Sequence, residues 1–279
     1  QVVVPAGFKV VNKDANVTDG IVVEDVSHSA TAGSQFVWIP VGEVVKEIKD
    51  GVKSTETITL GRYDFDSAGN ATAYSGRYTE VNTSTYGNKT AKENIESEES
   101  GFRKSAKDNH GYYIGRYESR KNGTQVTVKA SDKVYNYIIQ PDAATVSRGM
   151  YSSDSNFESD LMNSYAWDTA IVFLQKFDNR ANKASLKPYS RQNSLNTSSD
   201  GLASQGTNNL SEGSKQDVIC NVYDMASNCY EWTTETGSNS DYRCTSRGGG
   251  CGGGYTSLRD SHITSYSNDD VSFRLLLYM

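Results

Sequence analysis

The stretch RGGGCGGGYTSLRDSHITSYSNDDVSFR, residues 247–274, has specific ends and a middle without any period. At its end Arg274 stands beside Phe273 and heads the apolar run LLLYM. A guanidinium in an apolar strand is costly to bury unless carboxylates or carbonyls receive its donors. Just upstream, YDMASNCYEWTTE (223–235) offers Glu231 as the candidate partner. At the other end Gly248 and Gly249 follow Arg247, and glycines there permit backbone angles or close approaches that a side chain would forbid. Between the posts Arg247, Arg259 and Arg274, residues such as Gly, Cys, Tyr, Asp, His, Ile and Ser follow one another with neither a strand nor a helix repeat.

Working outward, GFKVV, GIVVED and SQFVWIPVGEVV cluster β-branched and aromatic residues and read as strands. TITLGRYDFDSAGNATAYSGRYTEV reads as a hairpin turning at DSAGN. Its Asp64, Asp66 and Gly69 match part of a calcium loop, but Ala68 stands where an oxygen donor and Ser75 where a Glu would be needed, so a turn is expected. Residues 89–110 are charged and poor in apolar groups, which predicts a solvated loop or exposed helix. HGYYIGRYESR and QVTVKASDKVYNYII read as further strands. In NSYAWDTAIVFLQKFDNR, Trp167, Ala170, Ile171, Leu174 and Phe177 recur at three- and four-residue spacings, the mark of a helix packed on a sheet. Residues 191–216, rich in Ser, Asn, Gly and Thr, read as a surface loop. Strands, one strong helix, long loops and a strand-rich C-terminal part predict an α+β fold. Residues 1–34 form a lead-in or attachment segment, and 35–279 form the main domain, with an insertion at about 45–108.

Composition narrows the function classes. The chain has 279 residues, a net charge of −6 and no stripe of Lys or Arg, so no nucleic-acid partner is expected. Runs such as AIVFLQKF fall short of the roughly 20 residues of a helical membrane span. Cys220, Cys229, Cys244 and Cys251 form no CxxC pair, and His28, His110 and His262 lie far apart, so no metal site is expected. No cofactor is expected either, with structural calcium the one ion left open.

The order of FVWIPVG, GYYIGRYES, WDTAIVFLQKF, YDMASNCYEWTTE and RGGG…VSFRLLLYM resembles the formylglycine-generating branch of the C-type-lectin fold over residues 35–279. That family's pattern near its end runs Asp-Met-Ala-Gly-Asn-Val-Trp-Glu-Trp-Thr, then Arg-Gly-Gly-Ser-Trp, then Gly-Phe-Arg. Here Ser227, Cys229 and Tyr230 are substituted, Cys251 takes the aromatic's place, and Ser272 precedes Phe273 and Arg274. The resemblance implies scaffold roles for Glu231, Trp232, Arg247, Gly248, Gly249, Arg259, Phe273 and Arg274. It would place the oxidase's first reactive thiol where this chain has Gly253, so the copper-dependent oxidase activity of that branch is an alternative only.

The chain also resembles variable proteins of diversity-generating retroelements, whose lectin-like C-terminal part is rewritten at template adenines. Replacing the adenines of the codon AAC never yields Lys, Glu, Gln, Met or Trp, and after Glu235 none of these occurs before Met279. Exposed loops are ordinarily rich in Lys and Glu. The resemblance implies a variable region at about 238–274 and a non-enzymatic role in binding a host-cell or surface receptor, protein or glycan. Expected contact residues are Gly250, Cys251, Gly252, Gly253, Tyr255, Asp260, Ser261, His262, Ile263, Ser265, Asn268, Asp269 and Asp270, with Tyr242, Ser246 and Tyr266 beside them. A virion tail or bacterial cell surface is the expected location. A structural tail-fibre or surface protein, oligomeric in that role, is the remaining alternative.

Overall fold

The computed structural model describes residues 2–81, 91–130, 134–180, 188–191, 217–237, 241, 243–250 and 253–279. In chain order the elements are β1 (Phe8–Val10), β2 (Val22–Asp25), β3 (Gln35–Pro40), β4 (Gly42–Lys49), β5 (Val52–Ile58), β6 (Tyr63–Phe65), β7 (Ala71–Ala73), α1 (Gly101–Asp108), β8 (Gly111–Gly115), β9 (Arg120–Asn122), β10 (Gln125–Thr127), α2 (Gln140–Gly149), β11 (Glu158–Leu161) and α3 (Ser164–Phe177). They continue as β12 (Val218–Ile219), β13 (Val222–Tyr223), β14 (Tyr230–Thr236), β15 (Cys244–Gly250), β16 (Gly253–His262), β17 (Val271–Phe273) and β18 (Leu275–Tyr278). The architecture is mixed, sheet-rich with few helices.

A six-stranded antiparallel sheet runs β1-β2-β3-β8-β18-β11. Its central strands are buried on both faces, and the two-residue alternation of side chains divides them between two cores. Val37, Ile39, Tyr112, Ile114 and Leu276 join Phe102 of α1 and Trp167, Ile171 and Leu174 of α3 on one face. Phe36, Trp38, Tyr113, Leu275 and Leu277 join Ala143 and Ala144 of α2, together with Trp232 and Phe273, on the other. A second sheet runs β16-β15-β14-β17, antiparallel except for the parallel pair β14–β17. The chain passes from this sheet into the six-stranded one between β17 and β18, and the residue at the crossing is Arg274.

The predicted helix is present as α3. Asn163 caps it by accepting from the Ala166 amide at 2.9 Å, and all five residues of the predicted face are buried. The 66–70 turn is likewise present, with Asp66 Oδ1 accepting from the amides of Ala68 (2.8 Å) and Asn70 (2.9 Å). Other expectations are corrected. SQFVWIPVGEVV is not one strand: it breaks at Val41 before Gly42, which sits at φ +100°, and its halves join different sheets. Within the charged 89–110 stretch, α1 buries Phe102 and Ala106 rather than lying free on the surface. Residues 1–34 contribute β1 and β2, and β2 pairs with β3 in the register Val22↔Val37, so the 34/35 boundary runs through one sheet. The predicted surface loop 191–216 lies outside the described residues except for Arg191.

Candidate ligand-binding face

Arg274 fixes the corner from which the face is built. Its Nε and Nη2 donate to the two carboxylate oxygens of Glu231 at 3.0 and 2.6 Å, and its Nη1 and Nη2 to the carbonyls of Gly115 (2.8 Å) and Tyr223 (2.7 Å). The pair expected from the sequence is thus bidentate and fully buried. Glu118, Asp224 and Asp217 surround it, all buried. Burial, then the charge of Glu231, pushes Glu118 well above the usual carboxylate range; burial, then the charge of Glu118, does the same to Asp224. Four buried carboxyls around one guanidinium cannot all ionise, so the group keeps protons to higher pH than isolated carboxylates do.

A second cationic cluster lies under β15 and β16. Arg247 and Arg259 are Cα partners across the strand pair, an arrangement that repels unless acids intervene. Two acids do. Asp168 of α3 accepts from Arg247 Nη2 at 2.5 Å and, through its other oxygen, from Arg259 Nη2. Glu235 of β14 accepts from Arg259 Nε at 2.9 Å and from Arg62 Nη2 at 2.6 Å. Burial opposes the Glu235 charge, but Arg259, Arg247 and Arg62 outweigh it and bring its pKa down to about 2. Beside them Glu80, fully buried, is pushed up to about 7 by burial and by Glu235.

The expected contact segment is held through its backbone as well as through the side chains of Thr256, Ser257 and Arg259, which donate to Tyr189 O, Ser190 O and Glu235. Trp167 Nε1 donates to the Thr256 carbonyl (2.9 Å), Arg247 Nε to that of Leu258 (2.8 Å), and the Tyr230 hydroxyl to that of Gly253 (3.0 Å). Farther along, the Tyr137 amide donates to Asn268 O (3.0 Å), Asn136 Nδ2 to Asp269 O (2.7 Å) and the Tyr230 amide to Asp270 O (2.8 Å). These grips reach both the hairpin and the 263–270 loop without using the side chains expected to contact a ligand.

Asp260, Ile263 and Ser265 are exposed, and Gly253, Tyr255, Ser261, His262, Tyr266, Asn268, Asp269 and Asp270 are partly so. The His262 and Tyr266 rings stack at 4.2 Å between centroids, with Trp232 edge-on to both. Two expected contact residues are corrected. Ser246 is buried, with its hydroxyl 3.0 Å from His262 Nε2. Gly250 is buried under Tyr230, whose ring atoms would lie 2.7 Å from an added Cβ. Neither presents a side chain to solvent. Tyr242, Cys251 and Gly252 lie outside the described residues. Among the scaffold residues, Trp232 and Phe273 are fully buried. Gly248 sits at φ +86°, and a Cβ on Gly249 would meet the Ala226 carbonyl at 2.0 Å.

Sequence reasoning missed Tyr137, whose half-exposed ring sits on a backbone at φ +51° beside the loop. It also missed Asp168 and Arg62, which no motif in the sequence singles out. Among the described residues no three His, Cys, Asp or Glu side chains are grouped to hold a metal ion, and Cys220, Cys229 and Cys244 are fully buried.

No family model matches the chain. No curated protein matches it either. Solved structures similar to the chain include CarF and PvdO. CarF shares 14% identity at a TM-score of 0.41, over 61% of this chain and 87% of CarF. PvdO from Pseudomonas aeruginosa shares 11% identity at a TM-score of 0.41, over 88% of this chain and 95% of PvdO.

Proposed function

We propose that this chain is a non-enzymatic ligand-binding protein whose hairpin and loop at 253–270 form a surface diversified by a retroelement, on a frame of the formylglycine-generating, lectin-like type. One observation carries the reading: the frame grips this segment through backbone carbonyls of Gly253, Thr256, Leu258, Asn268, Asp269 and Asp270. Ordering each residue costs about 1–2 kcal/mol, so an irregular twenty-residue segment costs roughly 20–40 kcal/mol. Side chains that change between variants are no dependable source of that stabilisation, whereas backbone hydrogen bonds and buried arginine–carboxylate pairs are independent of them. The reading of the frame rests on the motif residues: Asp224, Glu231, Arg247, Gly248, Gly249, Phe273 and Arg274, dispersed in sequence, are all buried in or beside the two charge clusters.

The ligand in this reading is a host-cell or surface receptor, met at a virion tail or bacterial surface. The side chains offered to it are Tyr255, Asp260, Ser261, His262, Ile263, Ser265, Tyr266, Asn268, Asp269 and Asp270. Sequencing the locus tests it. A neighbouring reverse-transcriptase gene, and a near-repeat of codons 253–270 that differs only at adenines, is the expected result. Codons that stay the same in this segment across a population of the element would overturn it.

A further inference from the structure

We propose that the cleft between the β6–β7 hairpin and β16 binds an acidic sugar, a pyranose bearing a carboxylate. The cleft encloses about 490 Å³ and is lined by Tyr74, Arg77, Tyr78, Arg191, Tyr255 and Arg259 among others. Arg259 belongs to the wall: its charge is answered by Glu235 and Asp168, and its guanidinium lies 4.1 Å from the Tyr74 ring centroid, with that of Arg62 at 4.5 Å. Tyr74 is thereby fixed.

Arg77 and Arg191 are different. Arg77 is exposed, its guanidinium lies 5.4 Å from the Tyr78 ring and bonds to that side chain, and among the described residues its charged neighbours are tyrosines rather than a carboxylate. Arg191 donates to the backbone carbonyls of Phe65 and Asp66 and lies 5.5 Å from the Tyr255 ring; it too has no carboxylate partner among the described residues. Carbonyls position a guanidinium without neutralising it. Against these two charges the lining carries one acid, Asp64, whose Oδ2 already accepts from the Ser75 amide (3.1 Å) and hydroxyl (3.3 Å). Two guanidiniums with no carboxylate partner among the described residues, in one cleft of a chain with net charge −6, select an anion.

Carboxylate suits the planar guanidinium fork, which receives it bidentately. Tyr78 and Tyr255 line the same cleft as the two guanidiniums, and a tyrosine, with an apolar ring and a polar tip, is the side-chain type that suits a ligand ring that is apolar on its face and hydroxylated at its edge. Among the described residues a larger hollow, about 690 Å³ beside α3, lacks this chemistry: its cation, Lys176, is paired with Glu56. Arg77 and Arg191, which select the anion, lie outside 253–270, so the charge of the cleft does not depend on the diversified reading, whereas Tyr255 is shared with it.

Titration of the whole protein with glucuronic acid, followed by saturation-transfer NMR, tests the cleft, with glucose as the neutral control and a Glu-rich hexapeptide as the competing anion. Glucuronate is expected to bind and glucose not, with binding weakened by added salt. Arg77→Ala, exposed and free of any structural ion pair, is expected to weaken binding about tenfold while the melting temperature stays the same. Tyr255→Ala is expected to weaken it as well. Equal binding of glucose, unchanged affinity in R77A, or preference for the peptide would each overturn the assignment. Because R77A lies outside the diversified segment, a negative result here leaves the locus test unaffected, and the converse holds.

Discussion

Arg274 stands where the chain leaves one sheet for the other, and one guanidinium binds Glu231 of β14, the Gly115 carbonyl of β8 and the Tyr223 carbonyl of β13. Removing it leaves buried carboxyls without their cation. Arg274→Met is therefore expected to destabilise by about 3–5 kcal/mol in urea unfolding at neutral pH. The loss should shrink as pH falls, because burial and acidic neighbours raise Glu118 and Asp224 above the usual carboxylate range and a protonated carboxyl has less need of the cation. A loss independent of pH would contradict the charge account. Tyr137 makes the opposite case. Its φ of +51° is poorly tolerated by a bulky side chain, and its ring is 48% exposed, so little packing offsets the strain. Tyr137→Asn, a residue that accepts this region, should raise stability by about 0.5–1 kcal/mol in the same assay. A fall would mean that the ring's contacts outweigh the backbone strain. The pairing of Arg274 was legible in the sequence because a charge heading an apolar run demands a partner and Glu231 was near. Tyr137 was not, since nothing in KVYNYII announces a left-handed residue.

The β15–β16 hairpin and the loop after it divide residues that hold the backbone from residues that only ride on it. Replacing Asp260, Ile263 and Ser265 together by Asn, Thr and Tyr should change stability by no more than about 0.5 kcal/mol per site, because these side chains are exposed and the segment's carbonyls stay gripped. Gly249→Ala, one methyl, should cost more than all three, since its Cβ would stand 2.0 Å from the Ala226 carbonyl oxygen. Thermal unfolding of the two variants decides between this and a hairpin held by its own side chains, which predicts the reverse order. The same division explains what sequence could show at this scale. Helix α3 was legible because its five apolar positions repeat on one face. Helix α2 was not: its buried positions are Gln140, Ala143, Ala144 and Ser147, too weak an apolar stripe to read, and it is placed by Pro141 in its first turn and by packing against β11 and β14. In the site, Arg247 and Arg259 could be recognised as posts. Their acids could not be assigned, because Asp168 comes from α3 and lies 79 residues from Arg247.

Across the whole molecule the buried charges set a pH optimum on the acid side of neutral. Burial, with Glu235 nearby, moves Glu80 from 4.5 up to about 7, and burial moves Asp160 from 3.8 to about 6 against the pull of Arg148. Between its unfolded and folded pKa such a group binds more protons in the folded state, so stability falls as pH rises through that interval. Glu80 alone represents on the order of 3 kcal/mol between pH 4 and 8. His28 acts in the same sense: burial works against its charge, but Asp25 at 2.9 Å and Asp154 at 3.3 Å outweigh it and raise its pKa above 6.5, so its contribution is present at low pH and lost as pH climbs through the folded value. Two carboxylates oppose the trend at the acid end. Glu235, drawn to about 2 by its arginines, and Asp25, lowered despite burial by hydrogen bonds from Thr31, His28 and Tyr151, stabilise the fold above their unfolded values and lose that contribution as pH falls through the folded ones. The melting temperature is therefore expected to peak between about pH 4.5 and 6 and to decline steadily toward pH 8. Glu80→Gln should flatten the decline: its amide oxygen keeps the Ser164 amide, and the Thr234 hydroxyl is able to turn and accept from its nitrogen. A melting temperature that rises from pH 5.5 to 8, or a slope that E80Q leaves unchanged, would show that water or rearrangement relieves these burials and that the two charge clusters do not govern the stability of the fold.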